Sequence, residues 1–204
     1  MNIGIDIDDT IADTFEALLA YSQKYTIEDL KRESNIDINK DYLNHLYIES
    51  ASGWNDLETK NFWEKYYEDI LKAVNIKNFA SKVINSKRKN GDKIFLITAR
   101  WDMPNFDTKK LTENWLQENN VQFDKLFMNA SDKVQLVKEN NIDLFIDDSF
   151  NNCKQISENT NAKVYMMTSL VNKNLGDKKI KRVFSWPEID DLISKEENWW
   201  ILQI

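Results

Sequence analysis

Two apolar runs of the chain end in aspartates. The first run ends in Asp6, Asp8 and Asp9, and a later run is followed by Asp147 and Asp148. Carboxylates can bind a hard divalent cation, attack an electrophile or transfer a proton. A single pair of aspartates in such a place is more often a turn or a helix cap. A catalytic interpretation therefore requires further groups at the same place.

Three other residues could complete a site for phosphorus chemistry. Thr98 and Ala99 follow an apolar run, and Lys133 precedes the run that ends at Asp147. A phosphate monoester is dianionic near neutral pH, so a carboxylate nucleophile can approach it only if cations neutralise the site. Asp6 as nucleophile and Asp8 as acid and base would need a hydroxyl, backbone amides and an ammonium to hold the phosphoryl oxygens.

Short apolar runs alternate with segments of helical periodicity over most of the chain. This pattern predicts an α/β fold with a parallel sheet that helices cover on both faces. The carboxyl ends of parallel strands share one edge, so the residues named above would meet there. The predicted strands are 2–7, 93–98, 125–129, 144–147 and 163–167, and the predicted helices are 80–89, 108–118, 133–139, 151–158 and a last one after Ser185.

Residues 15–77 interrupt this alternation. Their spacing is helical, aromatic residues recur, and no convincing strand appears before Lys93. We predict a helical cap domain at 15–77 and a core domain made of residues 1–14 and 78–204. His45 lies in the insert among polar residues and is predicted to be an exposed side chain rather than a catalytic base.

The composition excludes several classes of function. A net charge of −7 provides no basic surface for polymeric nucleic acid. With one cysteine, Cys153, and one histidine, the chain can form neither an internal disulfide nor a Cys/His zinc cluster. The amino terminus resembles neither a signal peptide nor a membrane span, so we expect a cytoplasmic protein with no membrane partner. A small phosphorylated molecule is the expected partner.

The order Asp-x-Asp-x-Thr, Thr, Lys, Asp-Asp, each in its strand context, resembles the four motifs of the haloacid dehalogenase (HAD) superfamily of phosphohydrolases over nearly the whole chain. The resemblance implies a Rossmann-like core with a small type-1 cap. It also implies Mg²⁺ as the cofactor, with Asp6, Asp8 and Asp147 at the metal and a backbone carbonyl among the oxygen ligands. The implied intermediate is an aspartyl-phosphate on Asp6. Asp148 would order a water beside the metal, although a helix cap explains it equally well.

Within that superfamily, residues 6–13 and 61–64 look most similar to the 5'(3')-deoxyribonucleotidases. The implied activity is dephosphorylation of nucleoside monophosphates. The chain departs from the animal enzymes where Asp9-Thr10 replaces Gly-Val, Ala99 replaces Ser, and Thr14 replaces a base-stacking Phe. These departures concern nucleotide preference rather than the reaction.

Four further residues are candidates for binding the substrate: Phe15, Phe62, Trp63 and Arg100. Trp63 is the leading aromatic candidate, because a nucleobase binds well to an aromatic face. At helical spacing the same aromatic residues could instead form the core of the cap.

Two alternative functions stay open. The first is a phosphatase with the same chemistry that acts on a sugar phosphate or another small metabolite. The second is a phosphate-binding protein without turnover, but binding alone does not need the second acid, Asp8.

Overall fold

The computed structural model describes residues 1–34 and 48–201, with side chains as far as Lys195. Six parallel strands form one sheet in the order β3-β2-β1-β4-β5-β6. The predicted α/β class is therefore confirmed. The prediction for His45 lies outside the described residues. The strands are β1 (Asn2–Ile5), β2 (Lys93–Ile97), β3 (Lys125–Phe127), β4 (Leu144–Asp147), β5 (Lys163–Met167) and β6 (Ile180–Val183).

Helices flank the sheet and connect its strands. Helices α4, α5 and α6 begin and end at the residues predicted from the sequence, whereas α7 is one residue longer at each end. The strand β6 was not predicted, because its sequence Ile-Lys-Arg-Val has a polar centre and lies at the sheet edge beside β5 alone. The helices are α1 (Thr14–Lys24), α2 (Ile48–Ser52), α3 (Asp56–Ala73), α4 (Ala80–Lys89), α5 (Thr108–Glu118), α6 (Lys133–Glu139), α7 (Phe150–Asn159) and α8 (Trp186–Ile201).

Helices bury both faces of the sheet. Successive strand residues point to opposite sides, so each face has an apolar layer of its own. Ile3 and Ile5 pack in the apolar layer that includes Trp115 and Trp186, from α5 and α8. Alternating positions such as Phe145 pack on the other side with residues of α6 and α7. At Gly4, in the middle of β1, a Cβ atom would lie 2.8 Å from the Phe145 ring, so a larger residue would push this ring away. The first strand is thus held at the centre of the core.

The described part of the insert consists of α1, a π-helical turn (Tyr25–Asp29), α2 and α3. These helices enclose an apolar cluster of their own. The side chain and backbone of Asn55 form a reciprocal capping box with Glu58, which fixes the start of α3. The cluster consists of Tyr25, Ile48, Trp54, Phe62, Tyr66 and Ile70. The division of the chain into core and cap stays a prediction.

The two segments that lead into α1 and out of α3 run side by side. The Asp13 N–H donates to the Asn75 carbonyl at 2.8 Å, and the Lys77 N–H donates to the Ile11 carbonyl at 2.7 Å. Lys77 also forms an ion pair with Asp13. These contacts hold both helices close to the carboxyl end of β1. None of the helices in the described part of the chain is both long and apolar enough to span a membrane.

Candidate active site

A buried ion cluster lies at the carboxyl edge of the sheet. The Lys133 ammonium donates to Asp6 Oδ1 at 2.6 Å and to Asp147 Oδ2 at 2.8 Å. Asp6 follows β1, Asp147 ends β4, and Lys133 opens α6, so three separate elements supply the cluster. The three side chains are almost inaccessible to solvent. Burial of ionisable groups is costly unless they pair closely, as these three side chains do.

Local hydrogen bonds fix the orientation of this cluster. Asp147 accepts from the Ser149 N–H at 2.7 Å and from the Asn152 side-chain amide at 3.1 Å. Asp132 caps α6 by accepting from the Gln135 N–H at 3.0 Å, which sets the direction from which Lys133 enters. All three contacts involve residues in or next to the short segments that connect a strand to the following helix.

Three carboxylates are grouped closely enough to hold a cation. Oxygens of Asp6, Asp147 and Asp148 lie within 4.8 Å of one another. Burial raises the pKa of Asp6 to about 8 against the effect of Lys133, with Asp147 and Asp8 adding to the rise. Burial and neighbouring carboxylates also raise the pKa of Asp148. One ammonium therefore does not balance the negative charge, and a hard divalent cation such as Mg²⁺ fits this donor set.

The backbone at Asp148 is anchored by the loop that follows β5. The side-chain amide of Asn172 donates to the Asp148 carbonyl at 2.6 Å and to the Met167 carbonyl at 2.7 Å. Arg182 of β6 in turn donates to the Asn172 side-chain oxygen at 2.9 Å. Asn172 is buried, so β5 and β6 support the position of one of the three acids without supplying one themselves.

Asp8 is held by a different cation. Arg100 donates from Nη2 to Asp8 Oδ1 at 2.8 Å and from Nε to Oδ2 at 3.0 Å, and the Thr14 hydroxyl donates to Oδ1 at 2.7 Å. Burial would raise the pKa of Asp8, but the charge and hydrogen bonds of Arg100 outweigh it and the pKa lies below its usual value. Arg100 is itself buried and also donates to Thr112. Its guanidinium thus holds Asp8 and also lines the cavity described below, and its contact with substrate stays a prediction.

Thr98 and Ala99 lie beside Asp8 at the end of β2. Thr98 is fully buried, and its hydroxyl accepts from the Arg100 N–H at 3.2 Å and lies 3.4 Å from Asp8 Oδ2. Ala99 is exposed and lines the cavity described below. The structure brings both next to the two aspartates, and their phosphate-binding role stays a prediction.

A cavity of about 300 Å³ opens over these groups. One end is formed by the aspartates together with Lys133 and Arg100, and the other by apolar and aromatic side chains of α1, α3 and the loop after β2. We call these the charged end and the aromatic end. The aromatic end consists of Leu18, Trp63, Tyr67, Ile70, Leu71 and Trp101.

The candidate substrate contacts in the insert divide into three cases. Trp63 lines the cavity. Phe62 has no exposed surface and packs inside the aromatic cluster of the insert, so it is a core residue rather than a substrate contact. Phe15 lines a separate cavity with Lys77 and Ser169 and does not reach the one above Asp6. The helix α1 places the Phe15 side chain on a side that does not line the cavity above Asp6.

Sequence reasoning missed four residues of the site. Thr14 contacts Asp8, Asn152 contacts Asp147, and Tyr67 and Trp101 form much of the aromatic end. Trp101 directly follows the Thr98 to Arg100 segment, and this adjacency was the available signal. Nothing in the spacing of Tyr67 within α3 separates it from the core residues around it.

The chain is similar over nearly its full length to proteins named as nucleotidases. It is 26% identical to a nucleotidase of Clostridium acetobutylicum, over 96% of this chain and 94% of that protein. It is 29% identical to a Bacillus cereus protein with a provisional nucleotidase name, over 96% of this chain and the whole of that protein. No protein-family model matches the chain.

Solved structures of HAD-type hydrolases share the fold. A hydrolase of HAD subfamily IA from Geobacter sulfurreducens superposes with a TM-score of 0.63 at 14% identity, covering 94% of this chain and 98% of that one. A haloacid dehalogenase-like hydrolase from Streptococcus pneumoniae gives 0.67 at 13% identity, covering 94% and 97%. The chain therefore has the fold of these hydrolases. In sequence it resembles proteins named as nucleotidases.

Proposed function

We propose that this chain is a Mg²⁺-dependent phosphomonoester hydrolase that releases phosphate from ribo- or deoxyribonucleoside monophosphates through an aspartyl-phosphate on Asp6. The observation that carries the proposal is the buried cluster in which Lys133 joins Asp6 to Asp147, with Asp8 beside it. A phosphate-binding protein needs the cation, but it does not need two aspartates of different environment at the same place.

In the proposed reaction an Asp6 oxygen attacks phosphorus while the bond to the ester oxygen breaks. The leaving alkoxide takes a proton from Asp8, and the phosphoryl group is left on Asp6. Water then attacks the same phosphorus atom and gives its proton to Asp8, the bond to Asp6 breaks, and inorganic phosphate leaves. Two easier displacements replace one difficult one, and both aspartates return to their starting states.

Neutralisation of charge is the main requirement of this scheme. Mg²⁺ held by Asp6, Asp147 and Asp148 would stabilise the negative charge of the phosphoryl group. Lys133 is already oriented by two aspartates and can donate to a phosphoryl oxygen from the same position. Thr98 and the amide of Ala99 are proposed as further donors.

Asp8 must carry a proton when the leaving group departs. In the free protein Arg100 favours its ionised form. A bound phosphate dianion has the opposite effect, because like charges repel and raise the affinity of a carboxylate for a proton. Asp8 is therefore proposed to take up its proton as substrate binds, while Arg100 keeps the carboxylate in place.

The nucleotide preference rests on two supports. The first is the resemblance to proteins named as nucleotidases. The second is the aromatic end of the cavity, which suits a leaving group with an aromatic ring better than a bare sugar. A sugar phosphate would leave this end without a partner.

Phosphate release from a substrate panel tests the proposal. Nucleoside monophosphates, sugar phosphates and p-nitrophenyl phosphate should be compared with Mg²⁺ and in excess chelator. We expect turnover that depends on the metal and favours nucleotides. Full activity in chelator would refute the metal requirement, and a preference for sugar phosphates would replace the nucleotide assignment by the metabolite alternative.

The role of Asp8 has its own test. Asp8→Asn should abolish hydrolysis of a nucleotide, whose leaving alkoxide needs a proton. With p-nitrophenyl phosphate, whose leaving group needs none, a burst of p-nitrophenol from formation of the phosphoryl-enzyme should remain. Equal loss of both signals would count against Asp8 as the acid.

A further inference from the structure

Trp101 is a large aromatic side chain that stays partly exposed beside the site. It is 40% exposed, and it follows Arg100, whose guanidinium holds Asp8. Its ring stacks on Tyr67 with the centroids 4.2 Å apart and the planes within 9° of parallel. Tyr67 therefore covers one face of the indole.

Neighbouring aromatic rings hold this stacked pair in place. Tyr67 is 4% exposed and also contacts Phe106 at 5.8 Å between centroids. Trp63 meets Trp101 edge-on at 5.1 Å and an angle of 80°. An aromatic surface fixed in this way needs little ordering when a ligand binds.

Trp63, the residue favoured by the sequence, has a different environment. Besides Trp101, its ring makes tilted or edge contacts with Phe62 at 5.0 Å and with Tyr67 at 5.6 Å. Three aromatic neighbours surround it, and it is half-buried. Trp63 thus packs between the apolar cluster of the insert and Trp101.

The Tyr67 hydroxyl is a second sign that this end of the cavity receives a ligand. It is buried, and its O–H donates to no acceptor among the described residues, although the backbone of Trp101 lies close enough to its oxygen to act as a donor. Burial and the nearby Asp8 carboxylate raise the pKa of Tyr67, so the hydroxyl keeps its proton. A buried donor without an acceptor is unfavourable, and a polar group of a bound substrate would relieve this cost.

We propose that Trp101, supported from behind by Tyr67, is the platform on which the nucleobase of the substrate stacks. This inference rests on the proposed phosphatase function and names the part of the site that selects the leaving group. The other polar side chains that line the described cavity lie at its charged end, so recognition at the platform depends on the aromatic face and on the Tyr67 hydroxyl.

The test compares adenosine 5'-monophosphate with ribose 5-phosphate, which has the same phosphate and sugar without the base. The measured quantity is the ratio of kcat/KM for the two substrates, with the ratio of their Kd values from calorimetry as a second readout. Trp101→Leu should reduce both ratios by about 5- to 150-fold, the loss expected from stacking of about 1 to 3 kcal/mol per base.

Two further variants separate the contributions at this end of the cavity. Tyr67→Phe keeps the supporting ring and removes only the hydroxyl, so the change in the ratio that it causes measures the hydroxyl alone and should be smaller than that of Trp101→Leu. Trp63→Leu should change the ratio less than Trp101→Leu does. The proposal is overturned if Trp63→Leu has the larger effect, if Trp101→Leu weakens both substrates equally, or if the wild type does not prefer the nucleotide.

These outcomes are distinct from failure of the proposed function. A wild-type protein that hydrolyses neither compound would refute the phosphatase assignment for these substrates. The calorimetric ratio would still decide whether Trp101 recognises the base. A protein that hydrolyses both equally well would keep its phosphatase chemistry and lose the platform.

Discussion

The charged end and the aromatic end of the cavity are built on different principles. The charged end takes its residues from strand ends and from the first residue of a helix, where the sheet fixes the backbone. The aromatic end takes its residues from α1, α3 and the loop after β2, which meet only through packing. In the proposed function, the chemistry therefore depends on the sheet, and selection of the leaving group depends on side chains that can change without disturbing the sheet.

The largest expected effect is at the centre of the charged end. Asp6→Asn removes the proposed nucleophile and a metal ligand, so kcat should fall by at least about 1,000-fold with the fold retained. Phosphate release and circular dichroism measure the two quantities. Asp191→Asn, an exposed change on α8, is the control. Activity of Asp6→Asn within tenfold of the wild type would contradict the mechanism.

Arg100 tests whether the geometry of Asp8 matters at the same end. Arg100→Lys keeps a positive charge but loses the fork that grips both carboxylate oxygens. We expect kcat to fall by about 10- to 100-fold with little change in KM, because the acid is misplaced. Steady-state kinetics give both constants. Arg88→Lys, which alters a surface pair with Asp124, should change neither constant.

Substitution of Asn172 tests whether the hydrogen bond to the Asp148 backbone positions the proposed metal ligands. Asn172→Ala removes the donor to the Asp148 carbonyl, and the affinity for Mg²⁺ should fall by about tenfold, as for other residues that orient metal ligands. Calorimetric titration of the metal provides the measurement. Asn159→Ala removes a similar bond to a backbone carbonyl on α7, away from the site, and should leave the affinity unchanged. Equal effects of both changes would exclude a specific role for Asn172.

The raised pKa of Asp6 predicts a pH effect on the metal-free protein. Because its pKa is about 8 in the folded chain and about 4 in an unfolded one, the folded state holds the proton more tightly. The contribution of Asp6 to the free energy of unfolding should therefore be complete below pH 4 and fall as the pH rises towards 8.

Thermal unfolding in chelator measures this dependence. Between pH 5 and pH 8 the Tm of the wild type should fall by more than the Tm of Asp6→Asn. At pH 8, Mg²⁺ should raise the Tm of the wild type more than that of the variant, because the ion pairs with the ionised carboxylate. Parallel Tm profiles of the two proteins in chelator would show that Asp6 does not titrate in this range.

The smallest expected effect concerns the backbone at Asp9, in the segment that joins β1 to α1. Asp9 has a φ of 56°, which favours glycine, and its side chain accepts from the Phe15 N–H at 2.9 Å. Asp9→Ala should cost about 1 to 2 kcal/mol of unfolding free energy, from a left-handed alanine and a lost cap. Asp9→Gly should cost less, because it loses only the cap. Denaturant unfolding compares them, and equal losses would show that φ is not the limiting factor.

Much of the charged end was predictable from the sequence. Apolar runs set the strands, a parallel sheet places their carboxyl ends on one edge, and Asp6, Asp147 and Lys133 meet there. Arg100 lines the cavity, and its predicted contact with substrate stays a prediction, but its pairing with Asp8 arises because the turn after β2 directs it inward. Sequence spacing gives the position of a residue on a strand and does not give the direction of a long side chain in the following turn.

The sequence by itself determined the α/β class, most helix and strand positions and the acids and lysine of the charged end, because strand alternation and sheet geometry act over short stretches of chain. The tertiary structure alone decided the edge strand β6, the pairing of Asp8 with Arg100, and the stacking of Trp101 on Tyr67. Those features join residues far apart in the chain or depend on side-chain direction. Their free energy comes from tertiary contacts, namely ion pairing, strand pairing and packing, which no local pattern of residues specifies.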